Sequence, residues 1–160
     1  VNVLLLNHHF ISQPINWLTH PVWAKVIVIF TITWRWTGYN TVFFLAGLQG
    51  IEYSIYEAAR IDGASTVQTF FRITLPQLKP VVLLTAIMST NGTLQLFDEV
   101  KNLTGGGPGN ATITISQYIY DLSFKYNPQF GYAAAVSYAI LIIVALLSFV
   151  QIILADRKEK

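Results

Sequence analysis

Asn91, Gln95 and Asp98 lie in an apolar run between Val81 and Val100, and Arg35 sits between Trp34 and Trp36 inside another. At about 100° per residue, a continuous helix over 81–100 would place Asn91, Gln95 and Asp98 on one face. Thr85, Ser89 and Thr93 would share roughly the opposite face. Amides and carboxylates in apolar surroundings are costly unless they meet a polar partner or a wet cavity. Amides both donate and accept, so Asn91 and Gln95 suit a solute rich in hydroxyls. Hydrogen bonds between helices would satisfy the same groups with no solute present. Asp98, near the end of the run, could equally be solvated. Arg35 has Thr31 and Tyr39 one turn away on either side, and its guanidinium needs a cavity, a carboxylate or a route to the interface. A structural ion pair and a gate both fit it.

Other chemistry is poorly served. His8, His9 and His20 have no metal-ligand spacing, so no metal site is expected. Cysteine is absent, which removes disulfides, thiolate ligands and cysteine nucleophiles. The glycines between Gly105 and Gly109 lack the Gly-Lys-Ser/Thr ending of a phosphate loop. With no serine elbow, zinc-protease pattern or carboxylate pair, no catalytic residue is expected and the chain does not read as an enzyme.

The elements that would position these residues follow from composition. The chain has 160 residues, 53% hydrophobic and only 11% charged, where soluble domains carry roughly 25% charged. Mean hydropathy is +0.49, and aromatics reach 14%, among them Trp and Tyr, which favour membrane interfaces. An all-α membrane protein is the expected class. Three stretches have the roughly 20 mainly apolar residues a crossing needs, at about 22–46, 81–100 and 132–154. Arg60, Arg72 and Lys79 fall between the first two, and Arg157, Lys158 and Lys160 follow the third. Lys and Arg collect on the cytoplasmic side, which places 47–80 and the tail inside, and 1–21 and 101–130 outside. A net charge of +2 without a basic run gives no reason to expect nucleic acid. The start at Val1 suggests part of a longer chain, and no signal-peptide pattern is visible at its beginning.

The inside loop carries helix signals. Ser54–Ala64 reads as a helix, with Ser54 as cap, Glu57 at capping-box spacing and Gly63 as terminator. Thr66–Ile73 reads as a second, stopped before Pro76. Outside, Gly105–Gly109 reads as a turn, and Thr112–Phe124 as a short helix.

Glu57, Ala58, Ala59, Gly63, Ile73, Leu75 and Pro76 together form a pattern over twenty residues. It resembles the cytoplasmic EAA loop of binding-protein-dependent ABC importer permeases, with each position filled. Asn16–Thr19, Gly38–Asn40, Ala46–Gln49, Ile61–Ala64, Phe97–Val100 and Thr104–Gly109 are similar to sugar permeases of the maltose-type and glycerol-phosphate-type branch. One departure is Glu52 after Ile51, where that family usually has proline shortly after the Gly-Leu-Gln turn.

The resemblance covers nearly the whole chain. It implies a type I ABC importer transmembrane domain over 1–160, the C-terminal half of a permease, with three transmembrane helices and a cytoplasmic coupling helix. It implies multi-pass residence in a bacterial inner membrane, in contact with lipid. The implied partners are a cytoplasmic ABC ATPase homodimer, a second permease subunit, a periplasmic or lipid-anchored solute-binding protein and a sugar substrate. ATP and Mg would be bound by the ATPase, with no cofactor in this chain. Glu57 would meet a cation on the ATPase, Ala58, Ala59 and Gly63 would allow close seating, and Ile73, Leu75 and Pro76 would stiffen the return into the second span. The alternatives are a loop that merely packs on its own spans, a glycerol phosphate or polyol cargo for which Arg35 would supply the cation, and a membrane scaffold without transport.

Overall fold

The computed structural model describes residues 1–125 and 127–156. Its regular elements are helical: α1 (Asn2–Asn7), α2 (Pro21–Gln49), α3 (Tyr53–Ile61), α4 (Thr66–Thr69), α5 (Leu75–Gln77), α6 (Lys79–Leu94), α7 (Asp98–Leu103), α8 (Ile115–Tyr120) and α9 (Phe130–Asp156). Turns of π-helix occupy Phe70–Thr74 and Asp121–Lys125. The described residues contain no strand, as the composition led one to expect.

The helices differ in how plainly they suit a bilayer. Within α9, Phe130–Ala155 is long and apolar enough to cross by itself. With 29 residues, α2 is about 44 Å long, ample for a crossing. Its apolar character is interrupted by Lys25, Arg35 and Asn40, so length marks it and composition does not. The expected continuous helix over 81–100 does not form. Helix α6 has 16 residues, about 24 Å against a hydrocarbon core of about 30 Å. It ends at Leu94, and the chain turns through Phe97 (φ −135°, ψ −57°) before α7 begins. No glycine or proline causes this break. Leu96 and Val100 leave the helical path to pack with Val28, and Thr114 Oγ1 donates to the Leu96 carbonyl at 2.6 Å, occupying an acceptor that a continuing helix would use. Taken with the bent rod before it, Thr66–Gln77, α6 does suit a crossing, the two meeting at 58°.

Two compact units are present. The first comprises Val1–Thr33 and Gln95–Val136. Its apolar centre is Val28, Leu96 and Val100, flanked by Ile32 and Leu103. Asn2 secures the start of the chain: its Nδ2 donates to the Ile15 carbonyl at 2.9 Å, and Trp17 Nε1 donates to its Oδ1 at 2.7 Å. The glycine-rich turn is ordered by two hydroxyls, Thr104 and Thr112 lying 2.7 Å apart, with Thr112 Oγ1 donating to the Gly107 carbonyl at 2.8 Å. Helix α8 starts at Ile115 behind a Thr114 cap and runs into the π turn, so the helical segment expected over Thr112–Phe124 starts later. Gln117, 1% exposed, donates through Nε2 to Asp121 Oδ1 at 3.0 Å, and Lys125 Nζ lies 3.5 Å from the other carboxylate oxygen. The buried charge is thus paired and hydrogen-bonded. Outside this cluster, the hydrogen bond of the Tyr118 hydroxyl with Tyr132 raises its pKa above the ordinary tyrosine value.

The second unit comprises Trp34–Leu94 and the chain from Ser137 onward. Here α6 packs against α2 through small residues. The Trp36 ring lies against Gly92, where a Cβ would come within 2.1 Å of it. Asn40 Nδ2 donates to Ser89 Oγ at 3.1 Å. Gly47 meets Val81 and Leu78. Buried Thr85 returns its hydroxyl to the Val81 carbonyl at 2.8 Å. The expected small-residue packing face is therefore present at Thr85 and Ser89. It continues through Gly92 and not Thr93, which is exposed.

Candidate functional site

The 47–80 loop is a helical hairpin with a bent return. Its first helix, α3, begins at Tyr53 after Glu52, which makes no side-chain cap bond. The expected Ser54 cap and its capping box with Glu57 do not form, because Ser54 is already inside the helix. The capping box lies further on: Ser65 Oγ accepts from Gln68 N–H at 3.3 Å, and Gln68 Oε1 accepts from Ser65 N–H at 2.8 Å. Between the helices, Gly63 takes the left-handed conformation, φ +75°. Gly63 N–H donates to the Arg60 carbonyl at 3.0 Å, and Ala64 N–H to that of Ala59 at 2.9 Å. These two bonds make a Schellman turn, which satisfies the last carbonyls of α3 and reverses the chain.

The return does not stop before Pro76. Helical backbone runs through it to Gln77. Proline lacks the N–H for an i→i−4 bond, and its ring crowds the preceding turn. The π turn at Phe70–Thr74 removes both difficulties: Leu75 N–H reaches the Phe70 carbonyl, five residues back, and the widened turn admits the ring. Leu75 keeps helical angles (φ −63°, ψ −43°). The two arms are joined by Tyr56 OH and the buried Thr74 Oγ1, 3.1 Å apart.

Glu57, Ala58 and Gly63 are exposed on this hairpin, as are Leu75 and Pro76, while Ala59 is buried and Ile73 half-buried. Ala58, Ala59, Gly63 and Ile73 line one open hollow of about 540 Å³, with Asp62 and Arg72 as its charged members. The structure thus brings four of the seven motif residues to one concave surface. Glu57, Leu75 and Pro76 do not line it.

The polar residues of the second apolar run are dispersed. Asn91, Gln95 and Asp98 do not share a helical face, since α6 ends between the first two. Ser148 Oγ of α9 donates to Asn91 Oδ1 at 3.5 Å, the interhelical arrangement. Gln95 is exposed just past α6, and Asp98 is exposed in the first turn of α7. Arg35 is exposed on α2, its guanidinium carbon 5.4 Å from the Trp36 ring centre. Sequence reasoning missed Gln151, whose Nε2 donates to Thr90 Oγ1 at 2.8 Å, and the Asn40–Ser89 pair. Asn40 and Gln151, each a lone amide in an apolar stretch, were the available signals.

If Asn91 serves mainly to tie α6 to α9, Asn91→Ala and Ser148→Ala should lower stability by similar amounts, about 0.5–1.5 kcal/mol, and the double variant by no more than either. Thermal unfolding in detergent measures this. An additive double variant, with only Asn91→Ala altering uptake affinity, would instead put the amide on a solute path.

Residues 2–160 match the family described as "Binding-protein-dependent transport system inner membrane component". The chain is 56% identical to the lactose transport system permease protein LacF of Rhizobium radiobacter, over 99% of this chain and 54% of that protein. It superposes with a TM-score of 0.82 and 25% identity on a chain from the crystal structure of a bacterial ABC transporter involved in import of the acidic polysaccharide alginate, covering 99% of this chain and 55% of that one. The corresponding values are 0.69 and 26%, over 99% and 53%, for a chain of the bacterial alginate ABC transporter in complex with an alginate pentasaccharide-bound periplasmic protein. The chain spans about half the length of these relatives.

Proposed function

The chain belongs to the family of binding-protein-dependent transport system inner membrane components, and from that premise we propose that it forms half of a multi-pass permease subunit in an ATP-driven sugar importer. The observation that carries this reading is the motif hairpin: an outward-facing Glu57–Ala58 surface on a helix closed by the Gly63 turn and backed by a π-braced rod. A soluble ATPase can move membrane helices only through a stiff projection. Here the projection runs without a flexible linker into Leu78 and the start of α6. On this reading 57–76 lies at the cytoplasmic face of the membrane, with Glu57, Ala58, Ala59 and Gly63 seated on the ATPase, while the apolar rod enters the bilayer surface and its Ile73, Leu75 and Pro76 carry the push to α6.

A sugar cargo is supported by the lactose permease and by neighbours that import a polysaccharide. The narrower maltose-type branch rests on the motifs quoted from the sequence. A glycerol phosphate or polyol cargo, and a scaffold without transport, are the weaker readings beside such relatives. The partners follow: an ATPase homodimer that binds ATP and Mg, a second permease subunit and a periplasmic solute-binding protein, which the alginate complex supports. The spans 22–46, 81–100 (with the helix interrupted after Leu94) and 132–154 would rock between inward-open and outward-open states. Asn91, Gln95, Asp98 and Arg35 remain candidates for the path.

The test is uptake by the complete complex in proteoliposomes against a panel of sugars, with ATPase stimulation by the binding protein as second readout. Uptake of a sugar coupled to stimulated hydrolysis is expected. Stimulation by a binding protein loaded with a non-sugar, with no sugar taken up, would overturn the cargo.

A further inference from the structure

Where the bent return meets the end of α9, the second unit opens a groove of about 970 Å³, walled by Phe71, Leu75, Pro76, Leu83, Ala86 and Ile153 among others. Its volume is at the upper end of the roughly 300–1,000 Å³ typical of ligand pockets. The lining is almost wholly apolar. Lys79 is the one charged side chain among its described lining residues. Of its walls, α9 is long and apolar enough to cross a membrane by itself, and α6 is so together with the rod that leads into it. One wall is helix α6 and the rod before it, the other the last turns of α9. Gln151, also in the lining, holds the walls together through its bond to Thr90 at 2.8 Å.

We infer that this groove binds an anionic phospholipid, with an acyl chain between α6 and α9 and the phosphate on Lys79. An apolar groove within a bilayer is filled by hydrocarbon or by another helix. A lone cation at the rim, with its stem along apolar walls, suits a tethered anion. A helix packed there would have to bring its own carboxylate to that ammonium or leave it buried and unpaired. Because Phe71, Leu75 and Pro76 belong to the same rod as Ile73, the bound lipid would brace the coupling hairpin against α9. Binding itself requires only membrane residence and does not depend on the cargo assigned above.

The probe is phosphatidylglycerol carrying a diazirine on an acyl chain, in phosphatidylcholine vesicles containing the complete permease complex. Labelled peptides are mapped by mass spectrometry. Label is expected at Leu83 and Ile153, with unlabelled phosphatidylglycerol competing about 5-fold better than phosphatidylcholine, the advantage one Lys gives near an anionic headgroup. Lys79→Gln, at an exposed site, should abolish that preference while leaving the label in place. Ala86→Trp should remove the label by filling the groove, and Leu83→Phe serves as a milder filling if that variant fails to assemble. Absence of label in the groove would overturn the inference, as would equal competition by both lipids. A bifunctional thiol reagent joining Leu83→Cys to a helix other than α2 and α9 would also overturn it, showing a helix seat in place of a lipid.

Discussion

Replacing Gly63 with valine should cost the assembled transporter at least 10-fold in uptake, whereas asparagine at the same position should retain most of it. The difference arises in the backbone. At φ +75° a β-branched residue is strained by about 1–2 kcal/mol or more, while asparagine tolerates this region. A Cβ on Gly63 would meet nothing within 4 Å, so no internal clash confuses the comparison. If the Schellman turn opens, the Arg60 and Ala59 carbonyls lose their donors and the angle between α3 and α4 is no longer fixed. The hairpin then yields when pushed. ATPase activity of the complex should persist but cease to respond to the binding protein, with normal membrane insertion. Glu57→Lys, on the exposed face, should give the same uncoupling through charge, without altering the turn. Normal coupling in both Gly63→Val and Glu57→Lys would remove the hairpin from the force path. Equal failure of Gly63→Asn and Gly63→Val, with the turn intact by hydrogen exchange, would mean that a partner surface excludes any side chain there.

Much of this hairpin was legible because its signals are local. Gly63 could be read as a terminator since left-handed backbone favours glycine, whereas Ser65 with Gln68, at the same capping-box spacing, was missed. The choice of Ser54 was wrong for an equally local reason: a competing Ser-x-x-Glu lay one residue inside a helix that starts at Tyr53. Pro76 misled because its usual effect is to stop a helix, and the π turn that accommodates it leaves no mark on sequence pattern. The break after Leu94 was harder still. It depends on Leu96 and Val100 finding Val28, and on Thr114 reaching the Leu96 carbonyl, contacts between residues far apart in sequence. Periodicity extended a helix across that point, and the shared face of Asn91, Gln95 and Asp98 disappeared with it. The hydroxyl face fared better, because Thr85 and Ser89 sit on either side of a single helical turn well inside α6.

The largest stability effect should come from Gly92, which the sequence reading passed over in favour of its neighbour Thr93. A Cβ built there would lie 2.1 Å from Cζ2 and 2.6 Å from Cη2 of Trp36. An indole is rigid, so unlike Gly47, whose close contacts are the ends of Val81 and Leu78, this site has little means to yield. Even Gly92→Ala should destabilise by about 1–3 kcal/mol, the usual range for overpacking, and Gly92→Leu should separate α2 from α6. The separation would extend one turn along the interface to Asn40 and Ser89, whose bonds of 3.1 and 3.4 Å require the present approach of the two helices. Trp36→Ala alone should destabilise by about 1–2 kcal/mol, because the ring is only half-buried and the space it leaves is partly open. Combined with Gly92→Leu it should recover part of that loss, because the new side chain occupies the vacated volume. Such opposite-signed coupling is the signature of direct contact in a double-mutant cycle. Thermal unfolding of the four proteins in one detergent would measure it. Strict additivity would mean that Trp36 and Gly92 do not touch in the folded protein, and that α2 and α6 are held together elsewhere.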